Sequence, residues 1–195
     1  MVLFDLGGVL IDFGGVGPMG TLAGIDDDAE VWRRWLSCRW VRAFERGECS
    51  VEDFSTGVVA DWALPVDPDA FASAFASWLG DTLPGAERLV ADVRRRARVG
   101  CLSNTNALHW QGGARWPFLS ELDHRFLSFE LGLVKPDLEL FHRAAELAGA
   151  PPGRVLFLDD NQINGDGARA AGFRAEVGRG PDEARRALES AAVLP

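Results

Sequence analysis

The chain has 195 residues, enough for one α/β domain with a modest insertion, and its 47% hydrophobic and 25% charged content matches ordinary globular composition. A formal net charge of −9 argues against a surface that draws in nucleic acid or an acidic membrane, so neither is expected as a partner. No apolar run reaches the roughly 20 residues of a bilayer-spanning helix, and Asp5 and Asp12 fall where a secretory leader would be apolar, so a cytoplasmic location is expected.

In chain order, residues 1–4 form an apolar run ending at Asp5 and followed by Leu6-Gly7-Gly8, the pattern of a buried strand entering a tight loop. Similar runs recur at 98–102 before Ser103-Asn104, at 125–129 ahead of Lys135-Pro136, and at 155–158 before Asp159-Asp160. Helical patterns at 86–97, 138–148 and about 164–171 lie between them. The alternation predicts a doubly wound, Rossmann-like parallel sheet, whose ligands bind at the carboxyl ends of the strands. All four polar clusters would then converge on one crevice.

Residues 15–83 break this alternation. Helices are predicted at 28–44, 51–62 and 67–78, with start signals at Ser50 through Asp53 and at Asp67-Pro68. The chain therefore divides into a core of residues 1–14 and 84–195 and a small α-helical insertion. Trp32, Trp35, Trp40, Trp62 and Trp78 all fall in that insertion, and most are expected to form its own core. Cys38, Cys49 and Cys101 are scattered, with neither disulfide nor zinc spacing, and read as free thiols.

The glycines after Asp5 let backbone N–H groups approach an anion, although an Asp that merely ends a strand is an equal reading of that segment alone. Asp159-Asp160 are hard oxygen donors of the kind Mg²⁺ takes, or simply a solvated turn. Ser103 and Asn104 offer hydroxyl, amide and backbone donors to a phosphate, or cap a helix. Lys135 is the single lysine among 20 basic residues, which suggests a requirement for a compact ammonium. Order and setting carry more weight than any one piece: nucleophile loop, hydroxyl-amide pair, lysine and acid pair each follow a strand.

At this point the chain resembles a family. VLFDLGGVLID, GCLSNTN, LGLVKPD and VLFLDDNQINGDGARAAG are similar to the four motifs of the haloacid dehalogenase superfamily. FERGECSVEDF, LSNTNALH and FLDDNQINGDGA resemble the subgroup that contains α-D-glucose-1-phosphate phosphatase. The resemblance implies a hydrolase of a small phosphorylated metabolite, such as a sugar 1-phosphate, acting as monomer or homodimer with the helical insertion as a cap. Asp5 would be the nucleophile, forming an aspartyl-phosphate. Mg²⁺ would be held by Asp5, the Gly7 carbonyl, Asp160 and Asp159. Leu6, Gly7, Ser103, Asn104 and Lys135 would hold the phosphoryl group, with Lys135 also acting in catalysis, and Arg42, Phe44, Arg46 or a nearby Trp would contact the rest of the substrate.

The chain departs from that pattern at Gly7, where phosphatases of the superfamily usually carry a second Asp as acid and base. Either the leaving group needs little help or another residue substitutes; His109 is the preferred candidate, with Glu45, Glu48 and Asp12 as others. A 2-haloacid dehalogenase, which also lacks that Asp, and a catalytically impaired phospho-ligand-binding protein remain as alternatives.

Overall fold

The computed structural model describes residues 1–14, 16–110 and 116–195; the predicted boundary at residue 15 lies outside them. Five parallel strands form one sheet: β1 (Val2–Phe4), β4 (Val99–Ser103), β5 (His124–Leu127), β6 (Leu156–Asp159) and β7 (Arg174–Val177), in the order β5-β4-β1-β6-β7. The central strands are apolar up to their last residues, Ser103 and Asp159, because both faces of the sheet are covered. Successive side chains alternate between the two layers, so Val2 and Phe4 of β1 enter one core cluster and Leu3 the other. The first face packs against α6 (Ala86–Arg94) and α11 (Gly180–Ser190), the second against α9 (Leu138–Ala148) and α10 (Gln162–Ala170).

The segment between β1 and α6 holds α1 (Gly17–Ala23), α2 (Asp28–Ser37), α3 (Arg39–Glu45), α4 (Val51–Trp62) and α5 (Pro68–Ala76). Its roots are an antiparallel ribbon of β2 (Ile11–Phe13) and β3 (Leu79–Thr82). The helices enclose a separate apolar cluster in which Trp35 and Trp62 are buried and Trp32, Trp40 and Trp78 are partly buried. The Ser50–Asp53 capping box forms in both directions at the start of α4, and Asp67 caps α5 by accepting from the Ala70 N–H at 2.9 Å. Among the described residues no helix is long and apolar enough to cross a membrane, and the three cysteines are free thiols.

Two sequence expectations change, and two groups of elements are added. The helix predicted at 28–44 is two helices, because Cys38 adopts an extended backbone (φ −65°, ψ 121°) between α2 and α3. The strand predicted at 125–129 ends at Leu127, and Ser128 instead opens the short helix α8 (Ser128–Leu131). β7 with α11, and the β2–β3 ribbon with α1, are additions to those expectations: α11 is amphipathic and buries Ala184 and Leu188, while β7 and the ribbon are short and partly exposed. β7 is an edge strand with mostly exposed side chains, so the central-strand signature is missing.

Gly57 sits inside α4, where alanine normally stabilises a helix by about 1 kcal/mol. A Cβ there would collide with the Trp40 indole. Gly57→Ala is therefore expected to lower the melting temperature by several degrees; an unchanged or raised value would show that the α3–α4 contact yields easily.

Candidate active site

Asp5, Ser103 and Asp159 lie where β1, β4 and β6 end, side by side because those strands are neighbours in the sheet. Lys135, in the loop between α8 and α9, is 1% exposed and joins two of them. Its Nζ donates to Asp159 Oδ2 at 2.6 Å and lies 3.0 Å from Asp5 Oδ1, an ion pair whose geometry falls short of an aligned hydrogen bond. Asp159 also accepts from the Asn161 N–H at 2.8 Å and from Asn164 Nδ2 at 3.1 Å on both oxygens, so both of its oxygens are engaged by protein donors.

Asp160, largely buried, carries its carboxylate over Gly8. Gly8 has φ +75°, and a Cβ there would strike that carboxylate, so the position admits glycine alone for two reasons. Arg179 Nη2 lies 3.7 Å from Asp160 Oδ2 at the rim.

One oxygen from each of Asp5, Asp159 and Asp160 can be chosen so that all lie within 4.8 Å of one another. With Lys135 as the buried cation, full ionisation leaves an excess of two negative charges. Burial, and then the Asp159 and Asp160 carboxylates, push Asp5 up to about 7 against the pull of Lys135. Burial and Asp159 push Asp160 up to about 6, opposed by Lys135 and Arg179. Burial pulls the Lys135 ammonium down, but Asp159 and Asp5 outweigh it and hold it above the ordinary lysine range. Clustered hard oxygens, an Asp5 oxygen without an aligned donor and surplus negative charge together make a donor set that suits a divalent cation.

A cleft opens above this cluster, lined by Asp5, Leu6, Gly7, Ser103, Asn104, Lys135 and Asp160, with Glu45 and Trp32 from the helical segment. The side chain of Leu6 packs into the core, which leaves its backbone for the cleft. Ser103 makes one long 3.5 Å contact, from its Oγ to the Asn104 carbonyl oxygen. Asn104 is bound on every side: Nδ2 donates to Glu45 Oε2 and to the Lys135 carbonyl, both at 3.1 Å, and Oδ1 accepts from the Lys135 N–H at 2.8 Å. Its side chain therefore fixes the lysine loop, and a phosphate contact from Asn104 falls to its backbone.

His109 is buried in the cleft wall with both ring nitrogens engaged, Nε2 on the Phe75 carbonyl oxygen at 2.7 Å and Nδ1 with Asn106 Nδ2 at 3.3 Å. Its ring lies 4.2 Å from that of Phe75. Arg42 and Arg46 both pair with Asp137, the latter at 2.9 Å, and Phe44 stacks on Phe54 at 4.3 Å inside the helical cluster. Sequence reasoning missed Asn164, Ser128 and Asp137. Ser128 Oγ accepts from the Thr105 N–H and donates to its carbonyl, holding the loop after β4. Asn164 stood in a quoted motif without a role; Ser128 and Asp137 had no signal beyond following a strand and a lysine.

Similar proteins point the same way. A pyrimidine 5'-nucleotidase of Escherichia coli (strain K12), YjjG, is 30% identical over 128 residues, covering 62% of this chain and 56% of that protein, so the match spans little more than half of its length. The HAD family enzyme bt-2542 of Bacteroides thetaiotaomicron, solved in complex with magnesium and inorganic phosphate, is 27% identical with a TM-score of 0.69, covering 91% and 93% of the two chains. An L-2-haloacid dehalogenase of Xanthobacter autotrophicus shares the fold at 20% identity and a TM-score of 0.64, over 100% and 84%. The haloacid dehalogenase-like hydrolase family matches residues 1–172, and with the sheet order and strand-end acids above, the chain belongs to that family.

Proposed function

We propose that the chain is a magnesium-dependent phosphatase of a small phosphorylated metabolite, with residues 15–83 as a cap over the cleft. The observation that carries this reading is the cluster of three carboxylates around one buried lysine at the sheet's carboxyl edge. A dehalogenase substrate is itself a carboxylate, and such a cluster would repel it.

In this reading Asp5 attacks phosphorus in line and becomes an aspartyl-phosphate, which water then hydrolyses. Asp5, Asp160 and the Gly7 carbonyl would hold the metal, while Asp159, engaged by Lys135, Asn161 and Asn164, would support the site and holds the lysine. The metal's contribution when bound is to neutralise charge on the phosphoryl oxygens. Lys135, the Ser103 hydroxyl and the backbone N–H groups after Asp5 would donate to the phosphoryl oxygens. The Bacteroides relative, solved in complex with magnesium and inorganic phosphate, supports this reading.

The test is phosphate release from glucose 1-phosphate, glucose 6-phosphate, a pyrimidine nucleoside monophosphate and 4-nitrophenyl phosphate, with Mg²⁺ and with EDTA. Turnover that requires Mg²⁺ is expected, with glucose 1-phosphate above the 6-phosphate. A folded protein that releases phosphate from none of them sinks the reading; capture of beryllofluoride would then leave a phospho-ligand-binding protein, and halide release from a 2-haloacid a dehalogenase.

A further inference from the structure

The proposed chemistry lacks a proton donor, and the structure narrows where one can come from. Position 7 cannot carry a side chain without movement, because Phe13 packs 3.3 Å from where its Cβ would begin. His109 has both ring nitrogens occupied, and Asp12 and Glu48 are exposed. Glu45 differs from all of these. It ends α3, lines the same cleft as Asp5 and Lys135, and accepts a 3.1 Å hydrogen bond from Asn104, the residue whose amide also grips the lysine loop.

Its position is fixed from both sides. Arg42 and Arg46, one turn before and one residue after it, both clasp Asp137, two residues beyond Lys135. Gly47, at φ +72°, lies so close to the Phe129 carbonyl that a Cβ would be 2.8 Å from it. Arg42 is thereby committed elsewhere, and among the described residues Glu45 has no ion pair within salt-bridge distance. A partly buried carboxyl held by one neutral amide, beside a nucleophile, is costly as mere structure.

We propose that Glu45 is the general acid and base of this phosphatase, replacing from the helical segment the carboxyl that the loop after Asp5 lacks; this rests on the function proposed above. As Asp5 Oδ bonds to phosphorus, the bond from phosphorus to the leaving oxygen breaks, and that oxygen takes the Glu45 proton. The resulting carboxylate then takes a proton from the water that attacks the aspartyl-phosphate. The P–O bond to Asp5 breaks, inorganic phosphate leaves, and both carboxyls return to their starting forms. The groups facing Glu45 are Asn104, Lys135, Asp5 and Arg42; burial pushes its carboxyl up to about 7, with Lys135 and Arg42 pulling down and Asp5 pushing up. Both protonation states are then available near neutral pH, as acid followed by base requires.

The experiment compares wild type with Glu45→Gln, which keeps an acceptor for Asn104, across phosphate esters from 4-nitrophenyl through phenyl to alkyl, all with Mg²⁺. Acid catalysis matters little when the leaving oxygen is already a weak base. The expected loss in kcat/KM is therefore a few-fold for 4-nitrophenyl phosphate and about 10²-fold or more for the alkyl ester. The wild-type limb that falls toward high pH should also disappear in the variant. An equal loss across all esters, with the pH profile unmoved, would make Glu45 a docking strut and overturn the inference alone. A wild type silent on every ester overturns the phosphatase reading and this inference together.

Discussion

Asp5→Asn is expected to cut metal-dependent phosphate release by at least about 10³-fold and, at the same time, to raise the melting temperature of the metal-free protein at pH 7.5. Activity falls because the nucleophile is removed, and stability rises because a crowded buried acid is removed with it. Asp5 is buried against two further carboxylates, and its pKa rises from 3.8 to about 7. A carboxyl whose folded pKa lies above its unfolded value binds more protons in the folded state between those values. Stability is then lost as pH rises from 3.8 to about 7 and stays low above that. Asp160 and Glu45, raised to about 6 and about 7, act in the same direction. In EDTA the wild type should melt several degrees higher at pH 5.5 than at pH 7.5, the slope should be smaller in Asp5→Asn, and Mg²⁺ should flatten it in the wild type. A metal-free wild type that is more stable at pH 7.5 than at pH 5.5 would contradict the crowding of unneutralised acids.

Lys135→Met should act in the opposite direction. The ammonium is 1% exposed and shared by Asp5 and Asp159, so its removal leaves buried carboxylates without their cation. Breaking such a pair from one side typically costs about 3–5 kcal/mol, enough to bring a domain of this size close to unfolding at pH 7.5 without metal. Recovery is expected at pH 5.5, where the raised carboxyls take up protons, and on addition of Mg²⁺. Lys135→Arg is not expected to rescue activity. The longer planar group has to fit between two carboxylates and the Phe157 ring, whose centroid lies 5.3 Å from Nζ. Circular dichroism melts of the two variants decide the matter; a Met variant as stable as wild type in EDTA at pH 7.5 would mean that the acids share protons instead of relying on lysine.

The parts of the fold that could be read from sequence are those with both faces buried. β1, β4 and β6 are apolar runs because helices cover each side, and each ends in a polar cluster that topology brings to one edge. Of the two edge strands, β5 was legible because Phe126 and Leu127 are buried, whereas β7 buries only Ala175 and the separate β2–β3 ribbon is partly exposed, so neither of these shows that pattern. For the site, residue types at strand ends were readable, but the competition for their hydrogen bonds was not. Nothing in Ser-Asn-Thr-Asn says that the Asn104 amide is consumed by Glu45 and the lysine loop, or that His109 has no ring nitrogen left. Glu45 depends on the break at Cys38, since an unbroken helix from Asp28 would carry α3 along the axis of α2. No proline or glycine marks that break; packing of Trp35, Cys38 and Val41 into one cluster accompanies it.

The register of β1 has a consequence for how the molecule is assembled. Val2 pairs with Val99 on one side and with Leu156 on the other. The two pairings close loops of roughly 100 and 150 residues, so the contacts that define the centre of the sheet are among the most distant along the chain. While the polypeptide is being made, Asp5 remains an ordinary hydrated carboxylate, with neither lysine nor acid partners. The apolar cluster of the helical segment, closed largely within residues 16–78, can form first. Mutual repulsion among the acids requires the pairing of β6 with β1, because that pairing brings Asp159 and Asp160 beside Asp5. The most charge-crowded part of the molecule thus depends on one of the longest-range pairings in the chain, so it exists only where the centre of the sheet is complete.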